Sequence, residues 1–284
     1  MSTVFKGQGT IKGHVFFGVG HGGKDPGAVA FNLRESDLNL QAALYAKDVC
    51  VAHGVTVTMS RIKDEDDDLS EEIREANASG ASLAVDFHTN AGGGDGFEVY
   101  HTIHGGTGKT LAQNIEAEIK AAGQNSRGLK TKKNSSGSDY FGFIRSIAVP
   151  SIIVEMAFID NWTDIQDWND PAELKKYGTA VAKGVLKTLG ISYKSGSTSS
   201  ATSNPTGTFF RVIAGSYTVR ANAVEMQKKL KAAGFDSFLV AYTSNNTNYL
   251  RVVVGSYATR ANAEAQVAAL KAKGFNSFLD VHKM

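Results

Sequence analysis

HVFFGVGHGGKDPGA, residues 14–28, decides the fold of the first part of the chain. His14 to Gly18 is a short apolar strand, and the glycines on both sides of His21 let the backbone turn sharply and leave the imidazole beyond the strand's C-terminal end. The arrangement recurs twice. LAVDF, residues 83–87, is a strand followed by His88, Thr89, Asn90 and Ala91, and the stretch from Val149 to Val154, apolar apart from Ser151, is followed by Glu155. Between the first two strands, Glu35 to His53 reads as a helix with Leu40, Ala43, Leu44, Cys50 and Val51 on one face and Gly54 closing it. Strands alternating with helices predict an α/β domain whose mostly parallel sheet is flanked by helices. In such open sheets ligands sit outside the carboxyl ends of the strands, so His21, His88 and Glu155 can converge there.

Two imidazoles and a carboxylate that meet at a sheet end can hold zinc. Glu35, opening the helix after the His21 loop, is the carboxylate best placed to complete the set, and two His plus one Glu with an open fourth position is a catalytic zinc shell. The spacing by itself also suits unrelated polar loop residues. Other signals lead nowhere. Gly18 to Gly23 fits a dinucleotide fingerprint, but the turn at Asp25, Pro26 and Gly27 follows instead of a helix. Asp64, Asp66, Asp68 and Glu75 have calcium-loop spacing, but Leu69 stands where that loop needs glycine, so a solvated turn with Asp68 and Glu71 capping a helix is expected. His53 at its helix end reads as structural, and His101 and His104 as loop residues near the mouth of the site. No serine-nucleophile elbow is present, and Cys50 reads as a small buried helix residue.

Taken together, His21 to Ala28, then Glu35 with Asp37 to Leu40, then His88 to Ala91, then Glu155 to Asn161 resemble the zinc-dependent N-acetylmuramoyl-L-alanine amidases of bacterial autolysins and phage endolysins. Leu69 to Asn77 also resembles a helix of that family, so the likeness spans roughly residues 11–190. The resemblance implies that His21, Glu35 and His88 bind one zinc ion and that Glu155 is the catalytic carboxylate. It implies cleavage of the amide between N-acetylmuramic acid and L-alanine. Ala157 stands where the family usually has glycine, Glu72 replaces a common arginine, and the loop from Asn90 to Asp95 is unusually rich in glycine.

Farther along, residues 191–208 form a Ser/Thr/Gly run with too little apolar surface to fold alone, which reads as a linker after a catalytic domain at 1–190. Beyond it, RVIAGSYTVRANAVEMQKKLKAAGFDSFL (211–239) recurs as RVVVGSYATRANAEAQVAALKAKGFNSFL (251–279). Each copy reads as strand, helix and strand, so residues 209–284 are expected to form a small α+β domain of order βαββαβ. This part resembles the SPOR domains that bind peptidoglycan glycan strands stripped of peptides. Ile213 and Val253 occupy positions where many members carry glutamine.

Composition bounds the partners. A net charge of +2 is too mild to imply nucleic acid, and no apolar stretch approaches the roughly 20 residues needed to cross a bilayer. The first residues lack the pattern of a secretory signal, which predicts synthesis in the host cytoplasm and action at the wall. The expected function is that of a phage endolysin, with a sporulation autolysin of the same activity as the alternative and a non-catalytic peptidoglycan-binding protein as the rival.

Overall fold

The computed structural model describes residues 1–31, 33–161, 163–164, 171–194, 208–245, 247–257 and 259–283. The chain divides into two compact units, Met1–Lys194 and Ser195–Met284. Most of the expected linker, 195–207, lies outside the described residues. Its first residues do not: Tyr193 stacks on His53 and the Lys194 backbone bonds the His53 ring, so they lie against the first unit. Among the described residues no helix is long and apolar enough to cross a membrane.

The first unit runs β1 (Thr3–Phe5), β2 (Gly13–Val19), β3 (Val29–Ala30), β4 (Leu33–Arg34), α1 (Glu35–Ala52), β5 (Val55–Met59), α2 (Leu69–Ala78), β6 (Leu83–Asn90), β7 (Phe97–His101), α3 (Gly106–Ala121), β8 (Ser126–Lys130), α4 (Gly142–Ser146), β9 (Ser151–Phe158) and α5 (Pro171–Thr188). Seven strands form one sheet in the order β1-β5-β2-β6-β9-β7-β8. The central pairs β5/β2, β2/β6 and β6/β9 are parallel, as is β7/β8, while β1 and β7 pair antiparallel with β5 and β9. The mostly parallel sheet expected from the sequence is therefore present. Its antiparallel members were not foreseen.

Burial on both faces explains the apolar strands. Val15, Phe16 and Phe17 are wholly buried, and each such side chain is worth about 1.5–3 kcal/mol relative to exposure. On one face α1 and α3 both pack on α5. Gly178 lets α5 approach α1 closely, because a Cβ there would lie 2.5 Å from the Ala42 carbonyl oxygen. On the other face Phe16, Ala84 and Ile153 pack against Ala76 of α2 and Phe143 and Ile144 of α4. Asp68 caps α2, accepting from the backbone N–H of Ser70 and Glu71, as its place before the helix predicts. Glu71 does not complete the cap but pairs with Arg74 at 3.0 Å.

Two strands run farther than their sequences suggest. His88 lies inside β6 and Glu155 inside β9, paired in register with each other, rather than in loops after the strand ends. Because β7 is antiparallel to β9, His101 pairs with Ile152, toward the opposite end of the sheet from His88 and Glu155. The expectation that His101 and His104 border the site's mouth is thus corrected.

The second unit runs β10 (Thr208–Tyr217), α6 (Arg220–Ala232), β11 (Phe238–Ser244), β12 (Thr247–Tyr257), α7 (Arg260–Ala272) and β13 (Phe278–Lys283). Its antiparallel sheet has the order β11-β12-β10-β13. Leu230 and Leu270, at equivalent places in the two repeats, are wholly buried. Each helix ends alike: the Phe235 and Phe275 N–H groups bond back to the Leu230 and Leu270 carbonyls across a left-handed glycine.

Candidate active site

The site begins where β2 ends. His21 itself adopts a left-handed backbone, φ 65°, a conformation uncommon outside glycine that persists only when the surroundings enforce it. Those surroundings are visible. Gly22 and Asp25 exchange backbone hydrogen bonds, Asp64 accepts from the Gly23 N–H at 2.8 Å, and Asp66 accepts from the Lys24 N–H at 2.7 Å. Arg34 completes the clamp on Asp64 at 3.1 Å. The acidic run is therefore no mere solvated turn, since two of its carboxylates hold the His21 loop. Buried Arg61 secures the other side, donating to the carbonyls of Val19, Gly20 and Ser36.

Glu35 opens α1, where the helix dipole favours a negative charge. It is only 5% exposed. Its Oε2 accepts from the Ala28 N–H, and its Oε1 accepts from the Thr89 N–H and faces His88 Nδ1 at 3.0 Å and His21 Nε2 at 3.3 Å. Burial opposes its ionisation, but the hydrogen bonds and charges of His21 and His88 outweigh that and hold it well below the usual carboxylate range. Asn39, bonded to the Gly20 carbonyl, also links Glu35 to Thr89.

The two imidazoles meet edge to face with centroids 5.1 Å apart. Each is held by a carboxylate beyond it: His21 Nδ1 donates to Asp25 Oδ2 at 2.7 Å, and His88 Nε2 donates to Asp86 Oδ2 at 3.2 Å. That leaves His21 Nε2 and His88 Nδ1 turned toward Glu35. One ligand atom each from His21, Glu35 and His88 lies within 4.8 Å of the others, the one such cluster among the described residues. Three convergent donors, with outer carboxylates fixing each ring, fit a divalent metal with an open position. Gly20 makes room for the His88 ring, since a Cβ there would lie 2.2 Å from its Cε1.

Glu155, paired with His88 on one side and Glu98 on the other, lies on the next strand of the sheet. Burial raises its carboxyl to about 7; His88 opposes the rise, and Glu35, Asp86 and Glu98 add to it. A cavity of about 560 Å³ opens beside His21 and His88, with an apolar side at Leu69, Phe141 and Phe143. Its acidic side includes Glu72 and Asp86, and burial, then the charges of Asp86 and Asp67, push Glu72 well above the carboxylate range.

The structure thus brings His21, Glu35 and His88 together and sets Glu155 on the strand beside His88. Sequence reading missed Asp25, Asp86, Arg61 and Glu98. A signal existed for two of them: Asp86 precedes His88 by two residues, the spacing of one strand face, and Asp25 follows His21 inside one glycine-bounded turn.

Comparison with known proteins gives a consistent picture. Residues 15–187 match the family described as N-acetylmuramoyl-L-alanine amidase, and 206–279, with an overlapping match at 182–241, match the SPOR domain. The sequence is 30% identical over 230 residues to the sporulation-specific N-acetylmuramoyl-L-alanine amidase of Bacillus subtilis, covering 80% of this chain and 84% of that one. It is 31% identical over 191 residues to the endolysin of Bacillus phage SPP1, covering 64% and 68%. The fold is similar to that of the amidase AmiC2 of Nostoc punctiforme, with TM-score 0.58, 26% identity and coverage of 64% of this chain and 99% of that one.

Proposed function

The chain belongs to the N-acetylmuramoyl-L-alanine amidase family, and from that premise we propose that it cuts its amide bond with one zinc ion held by His21, Glu35 and His88, and with Glu155 as proton carrier. The observation that carries this reading is the convergence of His21 Nε2, Glu35 and His88 Nδ1 within 4.8 Å. When bound, zinc supplies a Lewis acid for the carbonyl and a water acidified toward pKa 7.

The protein's own groups do the rest. With the ion bound, Asp25 and Asp86 would hold the rings in the tautomers that turn one bare nitrogen each toward it. The Glu155 carboxylate, with its pKa near 7, takes a proton from the attacking water and returns it to the departing alanine nitrogen. The bond broken joins the lactyl carbonyl of N-acetylmuramic acid to L-alanine; the products are a free lactyl carboxylate and a free amine.

We further divide the chain into a catalytic part at 1–190, a connecting stretch at 191–208 and a wall-binding part at 209–284. The SPOR domain engages peptidoglycan, and binding of glycan strands by it would raise the local concentration of the catalytic part at the wall. Wall lysis, as phage endolysin or as sporulation autolysin, is the setting we propose; it is supported by similarity to one relative named as an endolysin and one named as a sporulation-specific amidase. The test is release of new L-alanine amino termini from purified walls, with and without a chelator. Metal-dependent release is expected. No release by metal-loaded protein would leave only the rival reading, a protein that binds the wall without cutting it.

A further inference from the structure

No step above uses Arg127, although it stands in line with the reacting groups. It lies on β8 where the register with β7 slips: Phe97 pairs with Ser126 but Val99 pairs with Leu129, so Arg127 and Gly128 together face Glu98. An extra residue of this kind bends the strand and re-aims a side chain. The Arg127 Nε donates to Glu98 Oε1 at 2.8 Å, and its guanidinium carbon lies 5.0 Å from the centre of the Phe158 ring on β9. Glu98 is only 6% exposed and is fixed in turn by Asn90 and the Tyr100 hydroxyl, which both donate to its Oε2. The guanidinium is therefore held from beneath. Among the described residues neither of its Nη groups takes part in a hydrogen bond, and the side chain is 41% exposed.

His88 pairs with Glu155, Glu155 with Glu98, and Arg127 faces Glu98, so the four form a row across β6, β9, β7 and β8. At about 4.8 Å per strand, the backbone of Arg127 lies roughly 10 Å from that of Glu155 and roughly 14 Å from that of His88. Its guanidinium lies over the ring of Phe158, a residue of β9. On the other side of the cluster the cavity wall carries Asp66, Asp67, Asp68, Glu72 and Asp86. One side carries those carboxylates, whereas the other, though Glu98 and Asp95 lie beside Arg127, offers the two parallel Nη groups of a guanidinium whose Nε is already spent on Glu98.

On the amidase reading, which this inference rests on, the reacting carbonyl is followed by L-alanine and then by a γ-linked glutamate. The α-carboxylate of that glutamate lies two residues, roughly 7 Å, from the bond cut. We propose that Arg127 is the subsite for this carboxylate and directs the stem peptide over β9 toward β8, away from the acidic wall. A carboxylate can accept from both Nη groups at once. A carboxamide offers one oxygen and turns an N–H toward the same donors.

The experiment compares two disaccharide dipeptides, one ending in D-isoglutamate and one in D-isoglutamine, as substrates of the full-length metal-loaded protein. Wild type should favour the carboxylate by about tenfold or more in kcat/KM, expressed in KM. Arg127→Gln should erase the preference by raising KM for the carboxylate while leaving the carboxamide nearly untouched, and Arg127→Lys should keep part of it. Equal kcat/KM for the two substrates with wild type overturns the subsite without needing a variant, and so does an equal loss on both with Arg127→Gln at unchanged urea midpoint. Cleavage of neither substrate refutes the amidase reading itself and the subsite with it, an outcome distinct from equal cleavage of both.

Discussion

Glu155→Gln separates the proton carrier from everything else in the site. Burial lifts the native carboxyl from its ordinary 4.5 to about 7, against the pull of His88 and with help from Glu35, Asp86 and Glu98. In the metal-free protein the folded state therefore binds more protons than the unfolded chain between these values. Stability contributed by this group falls as pH rises through that window. At about 1.4 kcal/mol per pH unit, the loss amounts to about 3 kcal/mol by pH 8. Glutamine does not titrate, so the variant should escape it. Urea unfolding of metal-free residues 1–194 between pH 4.5 and 8, followed by circular dichroism, reports on the first unit. The variant should gain on wild type by about 3 kcal/mol across the range. With zinc restored it should bind the ion normally and lose about 10²–10⁴-fold in kcat. Parallel pH curves for the two proteins, or near wild-type turnover by the variant, would refute the role and environment assigned to Glu155.

Other perturbations reach neighbouring parts of the account. Gly20→Ala drives a methyl group to 2.2 Å from His88 Cε1, so zinc affinity in competition with a chromophoric chelator should fall about 10–100-fold; unchanged affinity would mean that the ring has room to spare. Asp68→Ala removes the acceptor of two N–H groups at the start of α2 and should lower the urea stability by about 1 kcal/mol, whereas an unchanged midpoint would remove the cap from the account. Truncation after Lys194 should leave turnover of soluble muropeptides intact and cut activity on whole walls about 10–100-fold at low enzyme concentration; equal activity on walls would deny the second unit its tethering role.

The sequence exposes the parts of this architecture that depend on local pattern. Apolar runs such as residues 14–18 and 83–87 announced buried parallel strands, and the 40-residue repeat announced βαββαβ because each copy carries its own strand, helix and glycine stop. The lengths of β6 and β9 were hidden, because His88 and Glu155 are polar residues inside strands and their register is set by each other rather than by periodicity. β1 was hidden too: Thr3–Phe5 has no apolar pattern of its own and is held by pairing with β5. The three candidate ligands were legible because His21 follows an apolar run, Glu35 opens a helix and His88 adjoins the apolar run 83–87, although β6 continues through it. Their supports were less so. Asp64 and Asp66 read as a charged turn, and only the fold brings them to the Gly23 and Lys24 amides, some forty residues away in the chain. Arg61 and Glu98 act through backbone carbonyls and cross-strand partners that no linear spacing encodes.

The central claim is that two imidazoles and the Glu35 carboxylate share one zinc ion. X-ray absorption at the zinc edge, on protein loaded with one equivalent, tests it most directly. Two nitrogen ligands at about 2.0–2.1 Å with oxygen at about 2.0–2.2 Å are expected, and loss of this shell in Glu35→Gln and His21→Ala. A sulfur ligand near 2.3 Å, or an unaltered shell in those variants, would place the metal elsewhere and contradict it.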